Sequence, residues 1–448
     1  MRLDEHASAI ALPLTYWLMG RPYAAMLREL RDNETLAPEQ LEQLQFAKLT
    51  ALLEHCYTNV PYYRSMFERI GAHPSDIRTM AEYAMLPTLD KETVQREAES
   101  LGATNFADKP AITVSTGGST GTPVKLRQDQ TYYDWGWAVF LRNMLWTGFQ
   151  PGERQAWFTR PATPDLKRQI HLALERRWVV GVVLQSEAAI AQWARGMQKH
   201  RPRFIYGYPS VISALATYVL DHGIELDSVR QVMTSSETLF ANQREEIGRA
   251  FGAPVFNQYG STETYGISSE CTSGSMHVNS DLTVVEYQPV SGPGGTVAHE
   301  VIVTPLMGYG MPLLRYRSGD QASPAEGRCP CGLPLPLMQM PEGRVDDTVT
   351  FSDGTVISAM LLERLVRGIP GIARFQFRQT APDALELLVI KDQRFTEKTR
   401  ETLADTQRRF ASESGVRVQI TPLFVDAIAP TRSGKHKSVV ALKDETPR

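Results

Sequence analysis

The sequence predicts an α/β fold with layered β-sheets and helices, followed by a small α+β unit at the C-terminal end. Between about residues 150 and 310, short runs rich in β-branched and aromatic residues alternate with helical stretches. This alternation indicates a largely parallel sheet covered by helices. Residues 1–110 are instead rich in Leu, Ala, Glu and Arg with helical spacing, which predicts a helical lead-in to the main domain.

The composition is that of a globular protein with a full hydrophobic core. The 448 residues are 42% hydrophobic and 22% charged, which fits two or three domains. The net charge of -3 is too small to indicate a nucleic-acid partner. No apolar run is long enough to cross a membrane, and Asp4, Glu5 and Pro13 do not fit a signal peptide. We therefore expect a cytoplasmic protein with no nucleic-acid or membrane partner.

The helical lead-in has two predicted helices separated by a proline. Proline suits the first turn of a helix, so one helix is predicted to begin at Pro38, with apolar residues continuing to Leu53. Pro61 interrupts this pattern, and a second helix is predicted over residues 64–70. Cys56 is expected to be a buried structural thiol, and no chemistry is assigned to the lead-in.

A glycine- and hydroxyl-rich segment follows a predicted strand at residues 111–114. It reads Ser115-Thr116-Gly117-Gly118-Ser119-Thr120-Gly121. Glycine lets the backbone approach a ligand closely, and consecutive N–H groups with nearby hydroxyls bind phosphate oxygens. The segment therefore predicts a phosphate-binding loop, with a flexible linker as the alternative. It is not a Walker-type loop, because no Gly-Lys-Ser/Thr follows.

The α/β region begins with an aromatic-rich helix predicted from residue 131, and this spacing favours a core helix over a ligand pocket. Strands are predicted at 179–184, 204–207, 231–234 and 254–256, with helices at 211–220 and 241–251. Ligands of parallel sheets bind beyond the carboxyl ends of the strands. Three polar segments follow predicted strands at this edge: Tyr206-Gly207-Tyr208-Pro209, Ser235-Ser236-Glu237-Thr238 and Asn257-Gln258-Tyr259-Gly260-Ser261-Thr262-Glu263.

The C-terminal part contains polar motifs and a second set of elements. The motifs are Arg315-Tyr316-Arg317-Ser318-Gly319-Asp320 and Gly343-Arg344-Val345-Asp346-Asp347. Helices are predicted at 356–366 and 396–410, and strands at 373–377 and 385–390. A basic segment around Lys435 ends the chain, and by itself it is typical of a solvated tail.

Three cysteines and one histidine have the spacing of two ligand pairs. Cys271 and His277 form one pair, and Cys329 and Cys331 form the other. Three thiolates and one imidazole suit a structural, tetrahedral Zn²⁺ site. Reduced thiols beside an unrelated histidine are the alternative. Because a Cys-Pro-Cys turn has poor disulfide geometry, zinc is the favoured interpretation.

Five motifs occur in one order: the glycine-rich segment, Tyr259 to Glu263, Tyr316 to Asp320, Gly343 to Asp347, and Ser433-Gly434-Lys435. This order resembles the adenylate-forming superfamily of acyl-CoA synthetases, adenylation domains and luciferases. Within it, the chain is most similar to the phenylacetate–CoA ligase and CapK-like branch. The resemblance implies a large N-terminal domain at residues 1–343, which binds ATP and the acid, and a small mobile lid domain at 344–448.

The resemblance implies an AMP-forming acid–thiol ligase. Such an enzyme joins a carboxylic acid to ATP, releases pyrophosphate and passes the acyl group to a thiol. The glycine-rich segment would bind the β- and γ-phosphates, and Glu263 would hold Mg²⁺ with Thr262 beside the α-phosphate. Lys435 would bridge the α-phosphate and the acid carboxylate. The implied cofactors are ATP, Mg²⁺, CoA and a structural Zn²⁺.

The same resemblance assigns nucleotide contacts and a hinge. Tyr259 would stack on adenine, Asp320 would accept both ribose hydroxyls with help from Arg344, and Asp346 would be the hinge between the domains. The remaining adenosine contacts implied are Ser236, Glu237 and Asn257.

The identities of the acid and of its acceptor are indicated only by weaker patterns in the sequence. Tyr206, Tyr208, Pro209 and the aromatic helix predict an apolar slot for an aryl acid. The glycine-rich segment lacks the lysine usual in the superfamily, so Lys125 or Arg127, Mg²⁺ or backbone N–H groups would neutralise phosphate. The segment after residue 347 lacks the glycine-rich form of CoA-using members. CoA, a carrier-protein thiol and an amine thus stay open as acceptors.

A non-catalytic nucleotide-binding regulator of the same fold is a further alternative. It is disfavoured because Glu263, Asp320 and Lys435 are all present. A homodimer is left open by the sequence.

Overall fold

The computed structural model describes residues 22–115, 125–159, 166–182, 186–291, 297–341, 343–344, 348–353, 355–366, 369–429 and 437–442. Predicted site residues Thr116 to Gly121, Asp346 and Lys435 lie outside these ranges. The α/β fold class with layered sheets, predicted from the alternating pattern, is confirmed. No helix within the described ranges is both long and apolar enough to cross a membrane.

The N-terminal region is helical, as its apolar spacing predicts. Val60 has an extended backbone between two helices, and the second of them begins at Pro61, where proline fits the first turn. Cys56 is fully buried, and burial raises the pKa of its thiol, as expected for a structural cysteine. The helices of this region are Tyr23–Asn33, Pro38–Asn59, Pro61–Ile70, Met80–Tyr83 and Lys91–Arg96.

The strands of the described residues form several sheets. In chain order they are β1 (Ala111–Ser115), β2 (Lys125–Asp129), β3 (Gln155–Thr159), β4 (Arg177–Gly181), β5 (Phe204–Gly207), β6 (Gln231–Ser235), β7 (Val255–Tyr259), β8 (Ser268–Glu270), β9 (Met276–Val278), β10 (Thr283–Ser291), β11 (Val297–Pro305), β12 (Tyr316–Gln321), β13 (Pro324–Ala325), β14 (Leu337–Met338), β15 (Gly343–Arg344), β16 (Thr348–Thr350), β17 (Val356–Ser358), β18 (Ile372–Ala381), β19 (Ala384–Lys391), β20 (Gln419–Phe424) and β21 (Val439–Val440).

The central sheet has the strand order β13-β14-β9-β8-β7-β6-β5-β3-β4. Strands β4, β3, β5, β6 and β7 are parallel, and all residues of β6 and β7 are buried, as expected for a sheet covered on both faces. Chain order reverses between β3 and β5, which is the kind of switch point where α/β sheets bind ligands. The helices of this region are Gln130–Trp146, Leu166–Leu174, Glu187–His200, Pro209–Asp221 and Ala241–Phe251.

A second, antiparallel sheet has the order β10-β11-β12-β15. Its buried residues Val303 and Tyr316 share a hydrophobic core with Leu52 and Phe67 of the lead-in helices. The lead-in thus packs on this sheet. β1 and β2 form an antiparallel hairpin in which Ser115 pairs with Lys125 at the end nearest the glycine-rich segment.

The C-terminal residues have a hydrophobic core of their own, which includes Phe377, Leu387 and Phe410. Their sheet has the order β20-β19-β18-β21, and β16 and β17 form a separate hairpin. Helices of this part are Ala359–Val366, Glu397–Ala404 and Thr406–Ser414.

Several local predictions were wrong. The strand predicted at 179–184 is Arg177–Gly181, which ends before Val182. The helix predicted at 356–366 begins only at Ala359, because residues 356–358 pair with β16 as a strand. The helix predicted at 396–410 is two helices that separate at Asp405. The strand predicted to end at residue 256 continues to Tyr259, since pairing with β6 on one side and β8 on the other extends it. Asn257 and Tyr259 therefore lie on a strand, where a loop was expected.

Candidate functional site

The carboxyl ends of β6 and β7 lie side by side. Ser235 pairs with Gln258, so Ser236 follows β6 next to the end of β7. Ser236 has a φ of +73°, a left-handed conformation that is uncommon for residues other than glycine. Such conformations cost roughly 1–3 kcal/mol and cluster at binding sites. The turn after β6 is therefore the first part of the candidate site.

Tyr259 and Asp320 are brought together by the two main sheets. The Tyr259 hydroxyl at the end of β7 donates a hydrogen bond to Asp320 Oδ2 on β12 at 2.8 Å. The backbone of Asp320 is paired with that of Arg344 across β12 and β15. Three residues predicted to contact adenosine thus converge from distant parts of the chain.

The segment after β7 is held in a tight turn by Ser261. The Ser261 hydroxyl accepts hydrogen bonds from the backbone N–H groups of Glu263 at 3.2 Å and Thr264 at 3.1 Å. The Ser261 N–H donates to the Thr264 carbonyl at 3.0 Å. This turn places Thr262 at the surface and leaves the Glu263 side chain half-buried.

Glu263 lines a small cavity together with polar side chains of the neighbouring hairpin and helix. Gln128 Nε2 donates to the Thr262 carbonyl at 2.8 Å, and the Tyr132 hydroxyl donates to the Glu263 carbonyl at 2.9 Å. Neither Gln128 nor Tyr132 was predicted as a site residue, and no motif in the sequence marks them. The residues lining the cavity are Leu126, Gln128, Tyr132, Glu263, Pro305, Gly308, Met311 and Leu313.

Glu237 and Asn257 are held by neighbours within the protein. Glu237 Oε2 accepts a hydrogen bond from the Ser210 N–H at 3.1 Å. The Thr234 hydroxyl donates to Asn257 Oδ1 at 3.1 Å. Glu237 therefore lies just after β6 and Asn257 within β7, and both side chains are oriented by these hydrogen bonds.

An aromatic cluster lies at the switch point between β3 and β5. The Tyr206 ring contacts Trp157 with 4.7 Å between ring centroids and Phe140 with 5.0 Å. Trp157 also stacks on Trp137 at 6.1 Å. Burial raises the pKa of Tyr206 to about 12, so its hydroxyl stays protonated.

Tyr206 and Tyr208 belong to different apolar clusters. Tyr206 packs with Met144 and Phe149 on the face covered by the helix Gln130–Trp146. Tyr208 packs with the core on the opposite face, and Pro209 begins the helix Pro209–Asp221. The aromatic slot predicted from these three residues is thus divided: Tyr206 lies in the cluster, and Tyr208 lies outside it.

The three cysteines and the histidine meet in one place. Their ligand atoms all lie within 4.8 Å of one another. Cys271 Sγ and Cys329 Sγ are 3.5 Å apart, and Cys331 Sγ is 3.2 Å from His277 Nε2. Tetrahedral Zn²⁺ with Zn–S bonds of about 2.3 Å needs sulfur atoms roughly 3.8 Å apart. A disulfide would instead require about 2.05 Å.

The surroundings of this Cys/His cluster suit a metal. His277 Nδ1 is 3.2 Å from the Leu335 carbonyl, which fixes the ring and leaves Nε2 facing the thiols. Burial raises the pKa of Cys329, but hydrogen bonds with Ser275, Cys331 and His277 lower it to about 6. Burial and the neighbouring thiols raise the pKa of Cys331 to about 12, so this thiol would release its proton on binding a metal.

The C-terminal sheet contacts the large sheet region through charged side chains. Arg374 Nη2 on β18 donates to the Ser210 carbonyl at 3.3 Å, and the carboxylate of Glu237 lies near the same guanidinium. Arg394 Nη2 lies 3.6 Å from Glu246 Oε1. Arg374 is thus a residue that sequence reasoning missed, since its partners are far away in the chain.

Two family profiles match the sequence. That of the AMP-binding enzyme family covers residues 37–298, more than half of the chain. That of the CapK C-terminal domain covers residues 349–441.

Relatives and solved structures align over most of the chain. The phenylacetate–coenzyme A ligase of Thermus thermophilus is 26% identical over 447 residues, covering 92% of this chain and 99% of that enzyme. Protein CapK of Staphylococcus aureus is 23% identical over 427 residues, covering 92% of this chain and 90% of CapK. The crystal structure of 2-hydroxyisobutyryl-CoA ligase in the postadenylation state has a TM-score of 0.72 at 17% identity, covering 91% of each chain. At this identity the structural likeness establishes the fold.

Proposed function

Because the chain belongs to the AMP-binding enzyme family and is an AMP-forming acid–CoA ligase, we propose that it activates an aryl carboxylic acid. The observation that supports the site assignment best is the meeting of Tyr259, Asp320 and Arg344 at the ends of β7, β12 and β15. A carboxylate held beside an aromatic ring at a strand end suits a nucleoside.

The reaction has two steps. A carboxylate oxygen of the acid attacks the α-phosphorus of ATP, the bond to the bridging oxygen breaks, and pyrophosphate leaves. The thiolate of CoA, having lost its proton, then attacks the acyl carbon, and AMP leaves with the electron pair of the broken C–O bond. Negative charge develops on phosphate oxygens in the first step, so fixed donors and cations lower its barrier.

Glu263 fits a role as the Mg²⁺ ligand in the first step. Mg²⁺ prefers oxygen ligands and is usually held by one or two carboxylates together with substrate phosphates. The half-buried Glu263 side chain beside the cavity offers such an oxygen, and the exposed Thr262 next to it would lie beside the α-phosphate. When bound, the ion would supply positive charge to the phosphates.

Adenosine recognition is assigned to the strand ends. In this proposal Tyr259 stacks on adenine and Asp320, oriented by the Tyr259 hydroxyl, accepts the ribose hydroxyls with help from Arg344. The neighbouring Ser236, Glu237 and Asn257 complete the pocket.

The aromatic cluster supports an aryl acid. Trp137, Phe140, Trp157 and Tyr206 form an aromatic cluster at the switch point, and Tyr206 lies on β5 next to β6, the end of which is assigned to ATP. An aromatic acyl group would gain from ring contacts worth roughly 0.5–1.5 kcal/mol each. Tyr208 and Pro209 would border the pocket from the start of the following helix.

Domain alternation is part of the proposal. The boundary lies near residues 343 and 344, and the separate core of residues 349–439 supports it. Asp346 would be the hinge, and Lys435 would bridge the α-phosphate and the acid in the first step. Thr116 to Gly121, with Ser115, would bind the β- and γ-phosphates.

A structural Zn²⁺ held by Cys271, His277, Cys329 and Cys331 is also proposed. The distances, the burial of the donors and the bond from the histidine ring to Leu335 support it. A cytoplasmic location and a homodimer stay predictions from the sequence, as do a carrier-protein thiol or an amine as alternative acceptors.

The test is ATP–pyrophosphate exchange with a panel of aryl, fatty and amino acids, followed by thioester formation with CoA. We expect exchange with aryl acids and its loss in the Lys435→Ala variant. Exchange with fatty or amino acids alone would refute the aryl assignment. Release of ADP, with no exchange for any acid, would refute the adenylation chemistry itself.

A further inference from the structure

Side-chain hydrogen bonds join the hairpin of β1 and β2 to the backbone of Thr262 and Glu263. The glycine-rich segment begins at Ser115, the last residue of β1, and precedes β2 in the chain. Gln128 on β2 donates to the Thr262 carbonyl at 2.8 Å. Tyr132, in the first turn of the following helix, donates to the Glu263 carbonyl at 2.9 Å. Strand β2 and the start of this helix are therefore bonded to the backbone of Thr262 and Glu263.

Tyr265 links Gln128 and Tyr132 into one hydrogen-bonded network. Its hydroxyl donates to Gln128 Oε1, and its backbone N–H donates to the Tyr132 hydroxyl at 3.4 Å. The Tyr132 and Tyr265 rings are in contact, with 5.2 Å between centroids. Each of the three side chains is thus held by another, and all of them act on the backbone around Glu263.

Two of the three side chains of the network are buried, and Tyr265 is half-buried. Gln128 is 5% exposed and Tyr132 is 8% exposed. A buried polar group that loses its partner costs about 1–3 kcal/mol, so these bonds are strongly favoured over alternative arrangements. Burial raises the pKa of both tyrosines, which keeps their hydroxyls protonated as donors.

Gly136 allows the Tyr265 ring to lie directly on the helix Gln130–Trp146. A Cβ atom at residue 136 would lie 2.6 Å from Tyr265 Cδ2, closer than real Cβ contacts. Gly266 follows with a φ of +53°, and a Cβ there would lie 2.3 Å from Val139 Cγ1. Because Gly136 and Gly266 have no side chains, the loop around Tyr265 can pack directly on the helix Gln130–Trp146.

We propose that Gln128, Tyr132 and Tyr265 are positioning residues: they hold the backbone of Thr262 and Glu263 so that the Glu263 carboxylate is oriented to bind Mg²⁺. The inference rests on the proposed function, in which Glu263 holds Mg²⁺. Groups that orient a metal ligand typically change metal affinity by about 10- to 100-fold when they are removed.

The test measures ATP binding in the absence of acid, by calorimetry, once with Mg²⁺ and once with EDTA. In the wild type, Mg²⁺ strengthens ATP binding. We expect the increase in ATP affinity caused by Mg²⁺ to be about tenfold smaller in the Tyr265→Phe, Tyr132→Phe and Gln128→Leu variants than in the wild type. Their ATP affinity in EDTA should stay within about twofold of the wild type, because the adenosine contacts are intact.

Tyr83→Phe is the matched control. It removes a buried tyrosine hydroxyl that bonds to Thr304 Oγ1 at 2.6 Å, in a different part of the fold. We expect it to lower the melting temperature as the network variants do, while the Mg²⁺-dependent gain is retained. If Gln128→Leu does not fold, Tyr265→Phe removes only one hydroxyl and decides the matter.

The Glu263→Gln variant separates this inference from the proposed function. If it loses the Mg²⁺-dependent gain while all three network variants keep it, the positioning role is refuted and the metal assignment stands. If Glu263→Gln keeps the full gain, or the wild type has none, the metal assignment fails and the inference fails with it. Loss in Glu263→Gln and in the network variants, but not in Tyr83→Phe, is the expected result.

Discussion

One hydrogen bond orients the carboxylate that the proposed function assigns to the ribose. Asp320 has two carboxylate oxygens, and the Tyr259 hydroxyl binds Oδ2 at 2.8 Å. The bond fixes the plane of the carboxylate before any nucleotide arrives. Preorganisation of this kind improves affinity because less side-chain freedom is lost on binding.

The Tyr259→Phe variant tests this role. The ring and its stacking surface remain, and only the hydroxyl that orients Asp320 is lost. We expect the KM for ATP to rise about three- to tenfold, as for loss of one hydrogen bond worth roughly 1 kcal/mol. The KM for the acid, measured in the same exchange assay, should not change. An unaltered KM for ATP would contradict the orientation of Asp320 by Tyr259.

A buried ion pair is a second feature at the scale of single residues, and it bears on the stability of the fold. Arg142 and Asp281 are both completely buried, and Arg142 Nη1 lies 2.7 Å from Asp281 Oδ2. Asn33 Nδ2 also donates to Oδ2 at 3.0 Å. Burial raises the pKa of the Asp281 carboxyl, but the Arg142 charge and these hydrogen bonds outweigh it, so the pKa lies below its ordinary range.

The Asp281→Asn variant should lose about 3–5 kcal/mol of unfolding free energy in urea, because a buried guanidinium is left without its counter-charge. A carboxyl with a lowered folded-state pKa contributes stability above its unfolded pKa, and that contribution is lost as the pH falls through the folded-state pKa. The difference from wild type should therefore shrink under acid conditions. Asp227→Asn, which breaks an exposed pair with Arg201, is the control and should change little. Equal effects of the two variants would contradict this account.

At the scale of elements, the Cys/His cluster joins two loops of the central sheet. Cys271 follows β8 directly and His277 lies on β9, while Cys329 and Cys331 precede β14. β14 pairs with β9, so the cluster closes the end of this pairing. Each of these strands is only two or three residues long, and a metal would compensate for the few ladder hydrogen bonds.

Cys329→Ser is expected to lower the zinc content from about one per chain and to lower the melting temperature. Because thiolate ligands compete with protons, chelators should remove the metal faster as the pH falls. Elemental analysis and thermal unfolding measure both effects. Cys56→Ser is the control: it changes a buried thiol in the lead-in, so it should affect stability but not zinc content. A wild-type protein without zinc would exclude the site.

At the scale of the whole molecule, the C-terminal sheet meets the large sheet region at the start of the helix Pro209–Asp221. Arg374 donates to the Ser210 carbonyl, while the Ser210 N–H donates to Glu237. The Phe240 and Phe375 rings lie 6.4 Å apart at the same contact. These contacts link the C-terminal part to the turn after β6, which the proposed function assigns to adenosine.

Arg374→Ala should therefore affect one half-reaction more than the other. If domain alternation occurs, loss of Arg374 weakens the arrangement seen here and slows either acid activation or thioester formation by about three- to tenfold. Single-turnover measurements of the two steps distinguish them. Arg378→Ala, whose pair with Glu386 lies inside the C-terminal sheet, should slow neither step selectively. Equal slowing of both steps by Arg374→Ala would argue against a conformational role.

Local sequence patterns predicted most elements of the large domain. The alternation of strands and helices indicated the parallel sheet, and the helix predicted at 241–251 is present as Ala241–Phe251. Predictions failed where pairing decides the structure. Residues 356–358 have an apolar pattern that also fits a helix, but their pairing with β16 makes them a strand.

The family follows from the sequence alone, because the identity and order of five motifs do not depend on three-dimensional contacts. The donor chemistry of the Cys/His set follows from it as well. The distant residues that meet are known from the folded structure: Tyr259 with Asp320, Gln128 with Thr262, and Arg374 with Ser210. Such contacts depend on strand order and on packing between sheets, whereas local periodicity reports only which face of an element is buried.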